Sequence, residues 1–137
     1  TNLIKGKVVH KEVTTDTVVT MVQTGISDTP IRVEEPRAKR QYNMDDILLA
    51  VRPELIHLMK ERTGHINSFK AELLESIYLG DSVKVKIKTK DQNTMDVKLS
   101  LEAFKRYAGN DQLEFFFNAD CITTIYEREK GVMLVTK

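Results

Sequence analysis

Apolar and polar residues alternate with a period of two along much of the chain. Val83, Val85 and Ile87 are interleaved with Lys84, Lys86 and Lys88, and Met95, Val97 and Leu99 with Asp96 and Lys98. That period puts one set on each face of a strand, so these segments predict half-buried β-strands. Phe69, Ala71 and Leu73 follow the same rule, and Ile31 and Val33 flank Arg32. Residues 3–9 and 17–24 are rich in β-branched side chains, which favour the pleated surface. Residues 47–51 form a compact apolar run that stops before Pro53, a residue unable to donate to a ladder. Residues 55–59 predict a resumed strand, 113–117 and 122–126 close the series, and 132–135 add an edge. Helical signal is confined to one segment. Ser100 is a candidate cap, with Glu102 in the first turn, Lys105 and Arg106 in the last, and Gly109 as the stop. Turns are expected at 25–28, 80–81 and 91–93. The expected class is all-β, a barrel or sandwich of short strands with at most one short helix.

The pattern also repeats. Asn2-Leu-Ile-Lys-Gly-Lys-Val-Val aligns with Asn67-Ser-Phe-Lys-Ala-Glu-Leu-Leu, an offset of 67 − 2 = 65. At that offset Asp16-Thr-Val meets Asp81-Ser-Val, and Val18 and Val22 meet Val83 and Ile87, on one strand face. Tyr42 then meets Tyr107, Asp46 meets Asp111 and Leu48 meets Leu113. Ile31 and Val33 fall one residue out of phase with Val97 and Leu99, so a one-residue gap is required there. The repeat predicts two barrel-like halves, about 1–65 and 66–137. Roughly 65 residues make a marginal core alone, so the halves are expected to pack as one unit.

Composition narrows the function classes. The chain has 137 residues, 41% hydrophobic and 30% charged, as in a soluble globular domain. Twenty-one Lys and Arg balance 20 Asp and Glu, so the basic excess of a nucleic-acid binder is missing. No apolar run approaches the ~20 residues of a membrane-crossing helix. Cys121 is the single cysteine. It has no partner for a disulfide or a thiolate metal site, which fits a reducing compartment.

Candidate chemistry is sparse. There is no phosphate-cradling Gly-x-x-x-x-Gly-Lys-Ser/Thr loop and no Gly-x-Ser-x-Gly elbow. His10, His57 and His65 stand singly, outside any spacing that puts two imidazoles on one metal. His57, between Ile56 and Leu58, reads as a partly exposed strand residue, and Cys121 as a small buried hydrophobe. Lys84, Lys86, Lys88 and Lys90, with Lys98, form a stripe. It reads as a solvated face or a guarded edge, or as a cationic patch for phosphate or acidic lipid. Arg37, Lys39 and Arg40 follow Glu34 and Glu35 and precede Asp45 and Asp46, a solvated loop open to partner contact. Phe115, Phe116 and Phe117 suit core packing or a subunit interface better than base stacking.

One phrase is more specific. Residues 47–58 read Ile-Leu-Leu-Ala-Val-Arg-Pro-Glu-Leu-Ile-His-Leu, which resembles the strand, Arg-Pro-Glu turn, strand phrase of the C-terminal TOBE-type domains of ABC-importer ATPase subunits. The start, 2–9, is similar to that family's first strand after the ATPase domain, and Ser76-Ile-Tyr-Leu-Gly80 to its hydrophobic-Gly turn. Residues 113–122 resemble its closing strand pair, with Phe117 where tryptophan is frequent. The resemblance implies a single regulatory domain over 1–137 built as a duplicated OB-like (TOBE/MOP-like) barrel, cut from a polypeptide with an N-terminal ATPase domain. It implies no catalysis and no cofactor in this chain, ATP and Mg belonging to the ATPase domain. The implied partners are that ATPase domain, a second copy in a homodimer and, through the ATPase, transmembrane permease subunits, at the inner face of the cell membrane. No nucleic acid is implied. Arg52, Pro53 and Glu54 are the implied regulatory or interface corner. A free-standing MOP-like barrel binding an oxyanion such as molybdate is the alternative. Few Ser, Thr and Gly residues stand near the matching turns to favour it.

Overall fold

The computed structural model describes residues 1–59, 67–107, 109, 112–127 and 133–135, and the side chains of Tyr107, Glu127 and 133–135 are left aside. Two curled antiparallel sheets make up the chain. The first holds β1 (Asn2–Val13), β2 (Thr17–Thr24), β3 (Ile31–Pro36), β4 (Asp46–Val51), β10 (Thr123–Glu127) and β11 (Met133–Val135), in the order β11-β10-β4-β1-β2-β3. The second holds β5 (His57–Leu58), β6 (Ser68–Tyr78), β7 (Ser82–Thr89), β8 (Thr94–Ser100) and β9 (Gln112–Phe116), in the order β5-β9-β6-β7-β8. Two 3-10 turns, Pro53–Leu55 and Ala119–Cys121, and one helix, α1 (Leu101–Tyr107), complete the described elements.

The duplication is visible residue by residue. β1 and β2 superpose in sequence on β6 and β7 at the offset of 65, and even the bulges correspond. The β1–β2 register slips between Val8 and His10, the β6–β7 register between Leu73 and Glu75. Strand pairing corrects the alignment further along. Val22 lies opposite Ile31 and Ile87 opposite Met95, so Val33 corresponds to Val97 and Glu35 to Leu99, an offset of 99 − 35 = 64. The gap therefore runs the other way from that expected from Ile31 and Val97. Gly6 lies opposite Ile47 and Ala71 opposite Leu113, so Leu113 is the counterpart of Ile47, not of Leu48. The same pairings set Asp46 with Gln112; Asp111 lies outside the described residues. A loop that lengthens by a residue moves every later side chain to the other face unless the alignment moves with it.

Each half lends a strand from its C-terminal part to the other, and β11 follows β10 into the first sheet. β5, which follows β4 in the chain, pairs with β9 of the second half, and β10, which follows β9, pairs with β4 of the first. The core runs through both sheets: Val22, Val33, Leu49, Val51, Ile56, Val83, Val85, Ile87, Val97, Phe115 and Phe117 are fully buried. The aromatic cluster is thus mainly core, with Phe69 stacked 5.8 Å from Phe115. Phe116 packs outward beside His57, ring centroids 5.2 Å apart. Gly6 is required by this packing, because a Cβ there would run into Val22 Cγ1 and the backbone of Gln23. The Ser100 hydroxyl accepts the N–H of Ala103 at 3.1 Å and caps α1 as expected. The strand expected over 55–59 is shorter, because Leu55 closes the 3-10 turn and only His57–Leu58 pair.

Candidate functional site

The Arg52 corner is a backbone turn with charges attached to it. Arg52 is extended, Pro53 opens the 3-10 turn, the Leu55 N–H reaches the Arg52 carbonyl at 3.0 Å, and the chain leaves extended at Ile56. The second half makes the same corner with Asn118, Ala119 and Asp120, where the Cys121 N–H reaches the Asn118 carbonyl at 3.1 Å. Backbone bonds therefore suffice for the turn. Arg52 and Glu54 pair with each other at 3.3 Å while 70% and 48% exposed, which leaves both side chains at the surface. Each corner packs on the third strand of the opposite half, Pro53–Leu55 on β8 and Ala119–Cys121 on β3.

Between the halves lie two related grooves. The larger, about 590 Å³, is lined by Ser27, Asp28 and Thr29 after β2, Ser68, Lys70 and Glu72 on β6, Lys88 and Thr89 on β7 with Lys90 just after it, and Glu114 on β9, among others. Its counterpart, about 350 Å³, has Leu3, Ile4 and Lys5 at the positions of Ser68, Phe69 and Lys70. The larger groove is the more hydroxylic. Its three lysines face three carboxylates: Lys90 pairs with Asp28, Lys88 lies 3.5 Å from Glu72, and Lys70 is the register partner of Glu114. Such a groove offers hydroxyls and ammonium groups to a small polar anion without a net positive charge. In the smaller groove the Asp91 carboxyl would be pushed up by burial, but hydrogen bonds from Thr89 and Asn93 hold it below the ordinary carboxylate range.

A second polar cluster is buried. Glu35 and Lys39, read from sequence as part of a solvated loop, are 3% and 6% exposed. Lys39 pairs with Glu35 and donates to the Thr124 hydroxyl at 2.8 Å, and that hydroxyl donates to Glu35 at 2.9 Å. Around them the Tyr126 hydroxyl and Lys11 both donate to Gln41 Oε1, at 2.7 and 3.1 Å. Burial lowers the Lys11 ammonium from its usual value, against the pull of Glu35, and raises the Tyr126 phenol. The run Arg37-Ala-Lys-Arg40 concealed this because sequence alone does not show that the segment folds back over an open barrel end. The barrel end of the second half is apolar at the matching positions: Leu99 for Glu35, Leu58 for Thr124 and Val85 for Thr20, with Phe104 beside them.

The remaining candidates stay apart. His57 is an exposed strand residue, as its neighbours predicted, and His65 lies outside the described residues. Cys121 is half-buried rather than buried, and desolvation together with Asp120 raises its thiol above the usual range, which opposes thiolate chemistry. The lysine stripe divides: Lys86, Lys88 and Lys90 sit near carboxylates, whereas Lys84 and Lys98 are register partners of each other. Among the described residues no three His, Cys, Asp or Glu side chains gather in a metal-binding group, and no helix is long and apolar enough to cross a membrane.

Residues 49–123, from within β4 through the corner and the second half to the first residue of β10, match the profile of the TOBE domain. The chain belongs to the TOBE domain family. Among solved structures this TOBE domain resembles the cytoplasmic molybdate-binding protein ModG, in a form with molybdate bound, at TM-score 0.78 and 12% identity over 90% of this chain and 94% of that one. At that identity the likeness speaks to the fold, a duplicated OB/MOP-type barrel. No curated protein sequence matches the chain.

Proposed function

We propose that this TOBE domain is the non-catalytic accessory domain of an ABC-importer ATP-binding subunit, supporting association of two ATPase subunits and biasing their opening and closing. The observation that carries the reading is the Arg52–Glu54 corner. It lies in the family-matched segment, its turn is held by backbone bonds, and its charged side chains remain at the surface, where the equivalent corner has Asn118 and Asp120. Charges that the fold does not use are available to a partner that binds one state of the transporter better than the other, which is what regulation requires. In this reading ATP and Mg bind an ATPase domain in the same polypeptide. The permease is reached through that domain, and the complex sits at the inner face of the cell membrane.

Immunoblotting of source-cell extract with antibodies to this domain tests the reading. A band of about 40 kDa leaves room for an ATPase domain of ordinary size. A band at the size of this chain alone overturns it.

The larger groove supports a second reading, a small-oxyanion site, because Ser27, Thr29, Ser68 and Thr89 converge there with Lys70, Lys88 and Lys90. The solved relative is described as molybdate-binding. The three carboxylates in the groove count against it. Isothermal titration with molybdate and with sulfate decides: heat abolished by S68A and K88A supports the site, and absence of heat removes it.

A further inference from the structure

The far end of β6 exposes a concentration of apolar side chains. Leu74, Ile77, Tyr78 and Leu79 are 44 to 62% exposed, and every residue from Leu74 to Tyr78 is exposed on this strand. The reason is topological. β9 covers β6 only as far as Glu72, whereas β7 follows it to Tyr78. Beyond Glu72, β7 remains flanked by β8, but β6 has no further strand on its other side among the described residues and becomes the sheet edge. Natural edges of this kind are blunted by lysine, proline, other charges or a bulge; the stretch from Leu73 to Leu79 contains no lysine or proline, only Glu75 and the bulge at Leu74. In the first half the matching edge of β1 is covered: the Val8 N–H donates to the Asp45 carbonyl at 2.8 Å, and Lys11 is tied to Gln41.

We infer that this β6 edge pairs antiparallel with the β6 edge of a second copy, across a twofold axis at Ser76. The sequence is self-complementary about that residue. With Ser76 opposite itself, Leu74 lies opposite the second copy's Tyr78 and Glu75 opposite its Ile77. Like charges therefore never meet, and an aromatic meets an aliphatic side chain, a favourable cross-strand pair. The pairing also answers an imbalance on the outer face. Ile77, Lys84 and Lys98 form one cross-strand row in which two lysines stand directly opposite with no ion-pair partner among the described residues. Like charges so placed are destabilising. The second copy's Glu75, which in its own copy lies 4.0 Å from Lys86, extends that row and brings a carboxylate toward the two lysines. Two five-stranded sheets become one continuous ten-stranded sheet, and the interface is isologous and closed.

The inference rests on the edge itself, independent of which larger protein carries the domain. Its test is the mass of the 137-residue chain, by light scattering over a concentration series, together with directed cross-linking. The expected result is a dimer that I77K converts to a monomer with unchanged circular dichroism, while V13K, on the β1 position matching Tyr78, leaves the dimer intact. In a C121S background S76C is expected to form an intermolecular disulfide on mild oxidation, since antiparallel partners lie about 4.5–5.5 Å apart at Cα, within disulfide range. A monomer at every concentration overturns the inference. A dimer that survives I77K and does not cross-link through S76C overturns it equally. Either failure leaves the size of the native polypeptide, and so the transporter reading, to its own test.

Discussion

Asn67 grips the backbone of Arg32 with both ends of its side-chain amide: it accepts the Arg32 N–H at 2.7 Å and donates to the Arg32 carbonyl at 2.8 Å. Asn2 does the same to Asp96, at 2.8 Å in each direction. Each half thus uses an asparagine beside its first strand as a one-residue strand partner for the third strand of the other half. Together with the exchanged strands β5 and β10, these two clamps explain why the halves form one body. Loss of either leaves a backbone N–H and carbonyl without their bonds.

The clamps differ in backbone. Asn67 sits at φ +63, a left-handed conformation that asparagine tolerates better than most residues. N67A is expected to cost about 2–3 kcal/mol, from two hydrogen bonds at ~1 kcal/mol each and the strain of a β-carbon at positive φ. N67G keeps the conformation and N2A carries no such strain, so each should cost about 1 kcal/mol less. Urea unfolding of the three variants checks the order.

The buried Glu35–Lys39 pair predicts a sharp asymmetry between one change and three. E35A leaves a buried ammonium without its carboxylate and is expected to destabilise by about 3–5 kcal/mol. E35L/K39M/T124L transplants the apolar lining that Leu99 and Leu58 provide in the other barrel and is expected to be at least as stable as the parent, since apolar replacement of a buried ion pair is often neutral or favourable. Denaturant midpoints of the two variants decide.

Thr20 sits beside this cluster with a buried hydroxyl that has no hydrogen-bond partner among the described residues, and Val85 occupies the matching position in the second half. T20V removes that hydroxyl with little change of shape. It is expected to stabilise by about 1 kcal/mol, read as a higher melting temperature.

Asp91 gives a pH dependence. Burial raises its carboxyl, but the bonds from Thr89 and Asn93 outweigh that and hold it below the ordinary value. A group depressed in the folded state contributes stability above its unfolded pKa and loses it as pH falls through the folded one. Unfolding free energy should therefore drop from about pH 4 downward, and D91N should show a shallower acid slope than the parent.

Much of this fold was legible because its information is local. Lysines alternating with Val83, Val85 and Ile87 marked β7, Pro53 marked the corner, and Ser100 with Gly109 bracketed α1. The repeat was legible through Asn2 and Asn67, although the asparagines gave no sign of what they bond. The groove was not, because Ser27, Ser68 and Thr89 come from separate segments with no shared spacing. Lys39 was misread because burial of a charge depends on a partner, and Thr124 is 85 residues away.

The sequence by itself determined the period-two strands, the corner at Pro53 and the doubling of the pattern, since side-chain alternation, proline and repeat spacing act over a few residues at a time. Only the tertiary structure decided that β5 and β10 change places. It also decided that the true alignment shifts by a residue after each loop, and that one barrel closes over a buried ion pair while the other closes over leucine and phenylalanine. Those choices depend on which surfaces exclude water together, and residues distant in the chain settle that jointly.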